Sequence, residues 1–415
     1  MGNLCSPPPP KPKAKLPKEK KVLTFGKDPN LNMADFMISN KRDETFTKMS
    51  KGQQFLIEEV QKCKITVPDR IAALTVDFAK SSNITTGPIE SSAFIRNCED
   101  CIFVIACLQF RTRECKRCTF FLYSSTEPII ELSRGLQIGC YNYYYDKLRE
   151  DMNESRLKLW NNKWSEVYDF TPPQGVSNSD GGGNWTALDM TVPVVFEEEI
   201  DVAIHDVAAD DDAVVFSVGD EVKSVYGEGV VTEERGDDMF VVALSSWHLA
   251  NESKVTCYLN GDALRRAKSS AASASETKST QVTTTRRKTV VPLTVGKKFQ
   301  SSNPIGLFIL CFPTANFDDI HIELMAWHER SGKEQNFIVR TREFGMNSKQ
   351  ANQLVTSAKG KCAAGVYLGM EFSLATEDAK ADLLATLGGG DWSCEGIEEV
   401  KECGSLFFDT WKEAQ

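Results

Sequence analysis

Residues 98–118 read CEDCIFVIACLQFRTRECKRC. Two Cys-x-x-Cys pairs, Cys98/Cys101 and Cys115/Cys118, flank an apolar run that leads into Gln109-Phe110-Arg111. Thirteen residues separate the pairs, which is close to the spacing of a zinc ribbon. Periodicity argues for something else. Setting the second Cys of each pair over its surroundings aligns Lys62-Cys63-Lys64-Ile65, Ser82-Asn83-Ile84-Thr85, Asp100-Cys101-Ile102-Phe103, Arg117-Cys118-Thr119-Phe120 and Gly135-Leu136-Gln137-Ile138. The steps are 20, 18, 17 and 18 residues, and a repeat of that length is one coil of a stacked β solenoid. The aligned position holds Cys, Asn, Cys, Cys and Leu. That is an inward ladder rather than a ligand set, since Asn83 and Leu136 share the slot. Four neighbouring thiols keep a zinc-dependent module as the alternative, and stoichiometric zinc is its test.

The alternation extends in both directions. Gly52-Gln53-Gln54-Phe55-Leu56-Ile57 opens it, and 65–67, 73–78, 93–95, 102–106, 119–123 and 129–132 each read as a short strand bounded by polar residues. Residues 31–190 are therefore expected to form a parallel β-helix. The stretch 157–167, LKLWNNKWSEV, places Trp160 and Trp164 four apart and is expected to close the stack as a helix or capping turn. Residues 191–213, with Asp210-Asp211-Asp212, read as an acidic linker. Residues 214–268 alternate through turns at 226–229 and 236–238. They are expected to form a small SH3-like β-barrel of about five strands, with Tyr226 and Trp247 as binding candidates or plain core. A Ser/Thr-rich linker follows at 269–289. Residues 290–415 alternate strands (306–312, 337–340, 365–372) with helices (318–328, 348–357, 375–387). Ser348 and Thr376 are the expected N-caps. This order implies a ferredoxin-like α/β unit, so the chain as a whole reads as mostly β with an α/β C-terminal domain.

The chain has 415 residues, a formal net charge of −10 and 13 Cys. The acidic balance, without an aromatic-interleaved basic stretch, argues against nucleic acid as a partner. No apolar run is long enough to span a bilayer. With no signal peptide in view, reduced cytosolic thiols are the expectation. The start, Met1-Gly2-Asn3-Leu4-Cys5-Ser6, fits N-myristoylation at Gly2 with Cys5 placed for palmitoylation. Lysines 11, 13, 15, 18, 20 and 21 follow a tetraproline. Residues 1–30 thus read as a lipidated, disordered tether, in which two acyl signals and basic charge together suffice for stable anchoring.

Taken as an ordered set, several stretches resemble a known family. They are Gly52-Gln53-Gln54-Phe55-Leu56-Ile57, Phe94-Ile95-Arg96-Asn97-Cys98, Ala106-Cys107-Leu108-Gln109-Phe110-Arg111-Thr112-Arg113, Pro128-Ile129-Ile130-Glu131 and Asp169-Phe170-Thr171-Pro172. The chain is similar to the retinitis pigmentosa protein 2 branch of the tubulin-folding cofactor C (C-CAP) superfamily. The resemblance covers residues 31–185 and extends to the lipidated tail and a nucleoside-diphosphate-kinase-like C-terminal domain. It implies a right-handed β-helix and a GTPase-activating protein for an Arf-like small GTPase, in ciliary protein trafficking at the cytoplasmic face of the plasma or ciliary membrane. Arg111 would be the arginine finger. Gln109 would hold the finger or the attacking water. Glu131, twenty residues on, would stack beside Arg111 and orient it, and Arg113 and Phe170 would contact the partner. GTP and Mg would belong to that partner, so the chain needs no cofactor of its own, and tubulin is a second partner class. Leu108 departs from the family's double glutamine, which weakens the expectation for activity. The histidines of the last domain, His321 and His328, match no kinase site and read as helix-surface residues, so that domain is expected to be inactive. The rival reading is a non-catalytic GTPase effector or tubulin-handling scaffold.

Overall fold

The computed structural model describes residues 32–177, 183–190, 196–197, 216–224, 227–235, 239–249, 254–260, 264–266, 290–300, 302–311, 316–330, 335–354, 362–387, 393–394 and 397–411. A short 3-10 turn, Met33–Phe36, leads into a parallel solenoid. Its strands are β1 (Met37–Arg42), β2 (Thr45–Thr47), β3 (Phe55–Gln61), β4 (Lys64–Val67), β5 (Leu74–Asp77), β6 (Asn83–Arg96), β7 (Ile102–Arg113), β8 (Thr119–Ser124), β9 (Ile129–Glu131) and β10 (Leu136–Cys140). Then come β11 (Tyr143–Tyr144), helix α1 (Leu148–Glu154), β12 (Tyr168–Asp169) and β13 (Trp185–Asp189). One parallel face runs β2, β4, the first half of β6, the first half of β7, β8, β10 and β13. The other runs β1, β3, β5, the second halves of β6 and β7, β9 and β12. A narrow third face is a row of single bridges through Gln61, Lys80, Glu99, Lys116 and Arg134.

The corners explain the composition of the coil. Two columns of left-handed residues punctuate the stack. Asn40, Glu59, Phe78, Asn97, Glu114 and Leu132 form one, and Asp43, Lys62, Ser81, Asp100, Arg117 and Gly135 the other. Directly after seven of these residues the inward side chain is a Cys or Ser that meets the carbonyl two residues back. Cys63, Cys98, Cys101, Cys115 and Cys118 donate to it at 3.3, 3.2, 3.2, 3.5 and 3.4 Å. Ser82 and Ser133 do the same at 2.8 and 2.9 Å. A small residue with one weak donor fits a buried corner whose carbonyl would otherwise lack a partner. The ladder expected from the repeat is present with one correction. The register pairs Lys64 with Asn83 and Asn83 with Ile102, so the inward slot after Cys63 is Ser82, not Asn83. A slip of one residue exchanges inside for outside. The next inward position stacks Ile65, Ile84, Phe103, Phe120 and Ile138 in register. All five are fully buried, and Phe103 stacks on Phe120 at 4.9 Å. Each buried side chain of this size contributes about 1.5–3 kcal/mol.

The expected cap at 157–167 is not helical. The helix comes earlier, as α1, while Trp160 and Trp164 lie buried in a looped segment. That loop faces the last unit: Trp164 Nε1 donates to Thr294 Oγ1 at 3.0 Å, and Thr341 Oγ1 donates to the Trp160 carbonyl at 2.9 Å. After β14 (Phe196–Glu197), which pairs with β11, come β15 (Glu221–Ser224), β16 (Gly227–Arg235), β17 (Met239–Leu249), β18 (Lys254–Asn260) and β19 (Arg265–Arg266). Their antiparallel order is β19-β15-β16-β17-β18. The five strands meet the expectation for 214–268; an SH3-like closure is not among the pairings of the described residues. Strand β17 also pairs antiparallel with β13, the last rung of the solenoid.

The final unit runs β20 (Ile305–Cys311), α2 (Phe317–Arg330), β21 (Phe337–Met346), α3 (Ser348–Leu354), β22 (Gly365–Leu374), α4 (Glu377–Thr386), β23 (Ser393–Cys394) and α5 (Ile397–Gly404), closing on a π-helical turn, Ser405–Thr410. The sheet order is β21-β22-β20-β23, all antiparallel. With α2 and α4 as crossovers, this is the ferredoxin-like arrangement. Thr376 caps α4 as expected. Ser348 is not the cap of α3, because Asn347 takes that place. Its Oδ1 accepts from Gln350 N at 2.9 Å, while Asn347 N donates to Gln350 Oε1 at 3.0 Å, a reciprocal capping box.

Candidate functional site

Arg111 lies in the second half of β7. Alternation along the strand buries Phe110 and Thr112 and leaves Gln109, Arg111 and Arg113 exposed. Parallel register makes each outward residue part of a column. Phe94, Arg111, Ile129 and Tyr168 stand side by side on consecutive rungs. The Arg111 guanidinium lies 5.9 Å from the centroid of the Phe94 ring, within cation–π reach. Tyr168 meets Phe170 edge to face at 5.1 Å. Phe94, Leu108, Tyr168 and Phe170 are all exposed, Phe170 at 57%. Arg111 thus stands on a flat parallel face within an apolar, largely aromatic surround, the composition of an interface centre.

The adjacent column is charged: Asp77, Arg96, Arg113 and Glu131. Arg96 grips Asp77 through Nε at 2.7 Å and Nη2 at 2.5 Å, and this bidentate pair pushes the Arg96 pKa up. Arg113 Nε donates to Glu114 at 3.2 Å. The expected stacking of Glu131 on Arg111 is corrected here. Glu131 is in register with Arg113, and the residue beside Arg111 is Ile129. The coil at this point is shorter than the twenty residues assumed, which moves the partner by two positions. Gln109 Oε1 accepts from Ser92 Oγ at 3.4 Å on the rung below. The structure therefore brings Gln109, Arg111, Arg113, Glu131 and Phe170 onto one face. Sequence reasoning missed Phe94 and Tyr168, although the repeat length, applied to Arg111, points to Phe94. Gly2, Cys5 and Tyr226 lie outside the described residues, as does the side chain of Trp247.

Beside Arg111 the solenoid and the final unit enclose a cleft of about 1070 Å³. Gln109, Arg111 and Phe170 lie on one side, and Lys297, Lys298, Arg340 and Arg342 on the other. Polar contacts join the two walls. Asn161 Nδ2 donates to the Glu343 carbonyl at 3.1 Å, and Glu343 N donates to Asn161 Oδ1 at 2.7 Å. Gly296 has φ +88, and a Cβ there would lie 2.8 Å from Trp164. Glycine permits both the left-handed turn and this close approach. Arg342 donates to the Phe407, Phe408 and Trp411 carbonyls at 2.6, 3.1 and 2.8 Å, tying down the C-terminal turn.

The expectation for the histidines is half right. His328 is partly exposed on α2, but His321 is buried. Its Nδ1 accepts from Arg149 at 3.0 Å, and its ring meets Trp160 edge to face. Burial and the Arg149 charge push its pKa down to about 4. Among the described residues no three His, Cys, Asp or Glu side chains are grouped to hold a metal ion. Burial holds Cys98 and Cys118 far above the usual thiol range.

The stretch that forms this parallel β solenoid is similar in sequence to known proteins. Residues 52–170 of the chain match the family described as tubulin binding cofactor C. Its relatives include Protein XRP2 of Gallus gallus, 42% identical over 147 residues (35% of this chain, 41% of that protein). Protein XRP2 of Homo sapiens is 30% identical over 206 residues (49% and 59%). Tubulin-specific chaperone C of Homo sapiens is 29% identical over 147 residues (35% and 39%). The chain is thus similar to Protein XRP2 over the segment that matches cofactor C, and it spans roughly half the length of these relatives. The solved tubulin binding cofactor C from Leishmania major aligns at 20% identity and a TM-score of 0.24, covering 29% of this chain and 80% of that one.

Proposed function

We propose that this chain is a GTPase-activating protein for an Arf-like small GTPase and that Arg111 is inserted in trans as the finger. The observation that carries the reading is the exposed guanidinium of Arg111 on a rigid strand, ringed by exposed Phe94, Tyr168 and Phe170. In GTP hydrolysis a water attacks the γ-phosphorus, the bond to the bridging oxygen breaks, and negative charge spreads over the departing phosphoryl group. A planar, permanently charged guanidinium placed there stabilises the transition state by a rate factor of about 10³–10⁵. The aromatic surround excludes water around that contact. Gln109, held from below by Ser92, would orient the finger or the water. Glu131, beside Arg113, would contribute charge to the docking face. GTP and Mg would come with the partner. Acylation at Gly2 and Cys5 would hold the protein at the cytoplasmic face of a plasma or ciliary membrane, where it would serve membrane-protein trafficking.

Multiple-turnover GTP hydrolysis by a panel of Arf-like GTPases, with and without this protein, tests the proposal. Rate stimulation lost in Arg111→Ala supports it, and stimulation that survives this change overturns the finger assignment. The cofactor C match favours a second reading, a tubulin-handling or effector scaffold. That reading expects tight binding to tubulin or to a GTP-loaded GTPase with no change in hydrolysis rate.

A further inference from the structure

The cleft beside Arg111 is lined by more cations than acids. Eight Lys and Arg line it against Glu127, Glu166 and Asp409, in a protein of net charge −10. The cations come from both units. Arg111, Arg156 and Lys163 belong to the solenoid side, and Lys297, Lys298 and Arg340 to the final unit. Ion pairs engage four of the eight cations: Lys158 with Glu343, Lys163 with Glu166, Lys297 with Asp409, and Arg340 with Glu371 and Asp409. With Glu343 and Glu371 counted, eight cations still stand against five carboxylates, an excess of three. It is not a consequence of loose packing, because the Asn161–Glu343 and Trp164–Thr294 contacts set the two walls in one arrangement.

We propose that the final unit supplies a second, cationic wall to the docking surface, and that this wall receives an acidic segment of the GTPase whose nucleotide meets Arg111. The inference rests on the activating function above and adds a partner site to it. It gives the C-terminal unit a role that needs no catalytic histidine. Charge set in a cleft focuses the field and raises association rates more than it alters the chemical step. The wall should act on KM, while Arg111 acts on kcat.

The experiment measures stimulated GTP hydrolysis over a range of GTPase concentration and ionic strength, with the full chain. The wild type should lose kcat/KM steeply as salt rises, because the Debye length shrinks from about 30 Å at 0.01 M to about 8 Å at 0.15 M. Lys297→Glu combined with Lys298→Glu should raise KM by roughly tenfold at low salt, leave kcat within about twofold, and flatten the salt dependence. Lys349→Glu, a Lys-to-Glu change at an exposed position of α3, should do none of this. Stimulation abolished by Arg111→Ala, with an unchanged KM and salt slope in the double variant, overturns the cationic wall and leaves the activating function standing. Absence of salt dependence in the wild type overturns it equally, whether or not the double variant folds. Absence of stimulation by the wild type removes the activating function and the wall with it.

Discussion

Arg111 can be replaced in two instructive ways. Arg111→Ala should reduce stimulated hydrolysis by about 10³-fold or more, with binding to the GTP-loaded partner retained within a few-fold. Arg111→Lys should recover little, because a point charge does not reproduce the planar fork. Single-turnover hydrolysis beside a binding titration separates the two quantities. Phe170 and Phe94 belong to the surround, so Phe170→Ala should weaken binding by about tenfold, the cost of a central aromatic, and leave the maximal rate unchanged. Arg111 itself was legible in the sequence because Gln-Phe-Arg follows an apolar strand between two Cys pairs. Its neighbours were harder to read. Coil length varies along the stack, and the left-handed corners Asn97 and Glu114 are 17 residues apart where Phe78 and Asn97 are 19 apart. A uniform step of twenty therefore placed Glu131 beside the wrong arginine.

The corner is the element on which the coil depends. Ser82 and Ser133 already stand where other coils carry Cys, with the same bond to the carbonyl two residues back. Cys118→Ser should therefore cost less than about 1.5 kcal/mol, the net worth of an ordinary hydrogen bond. Cys118→Val removes the donor and adds a branched carbon to a fully buried site, so it should cost about 1–3 kcal/mol. Urea unfolding of the two variants measures the difference. The repeat revealed these corners because one small inward residue recurs at nearly fixed spacing. It did not distinguish Ser82 from Asn83, because two adjacent small polar residues leave the phase of alternation undetermined. The cap of α4 was read correctly because it is a single residue, Thr376. The cap of α3 was misplaced by one residue, because the reciprocal Asn347–Gln350 pair starts one residue ahead of Ser348.

The packing of solenoid on final unit was invisible in the sequence, since Trp160, Trp164, Thr294 and Glu343 are far apart along the chain and carry no shared pattern. Gly296→Ala should loosen this packing, because its new carbon would meet Trp164; protease susceptibility of the unit boundary should rise and the melting temperature fall. His321 makes the same boundary sensitive to acid. The unfolded chain takes up its proton near pH 6.5, and the folded chain only near 4. Stability should therefore fall as pH drops from about 6.5 to 4 and level off below, a total of about 3 kcal/mol. His321→Gln, which still accepts from Arg149 and does not titrate, should flatten that interval in pH-dependent thermal melts. One further arrangement shapes how the molecule meets copies of itself. A stack of parallel rungs offers hydrogen-bonding edges at its ends, and such edges invite fibre growth. Here the final rung, β13, is taken by β17 running the other way. Among the described residues β12 at the same end, and β1 and β2 at the opposite end, pair on one side only, so β17 guards one terminal edge of the stack against a second copy and leaves the other face open to one.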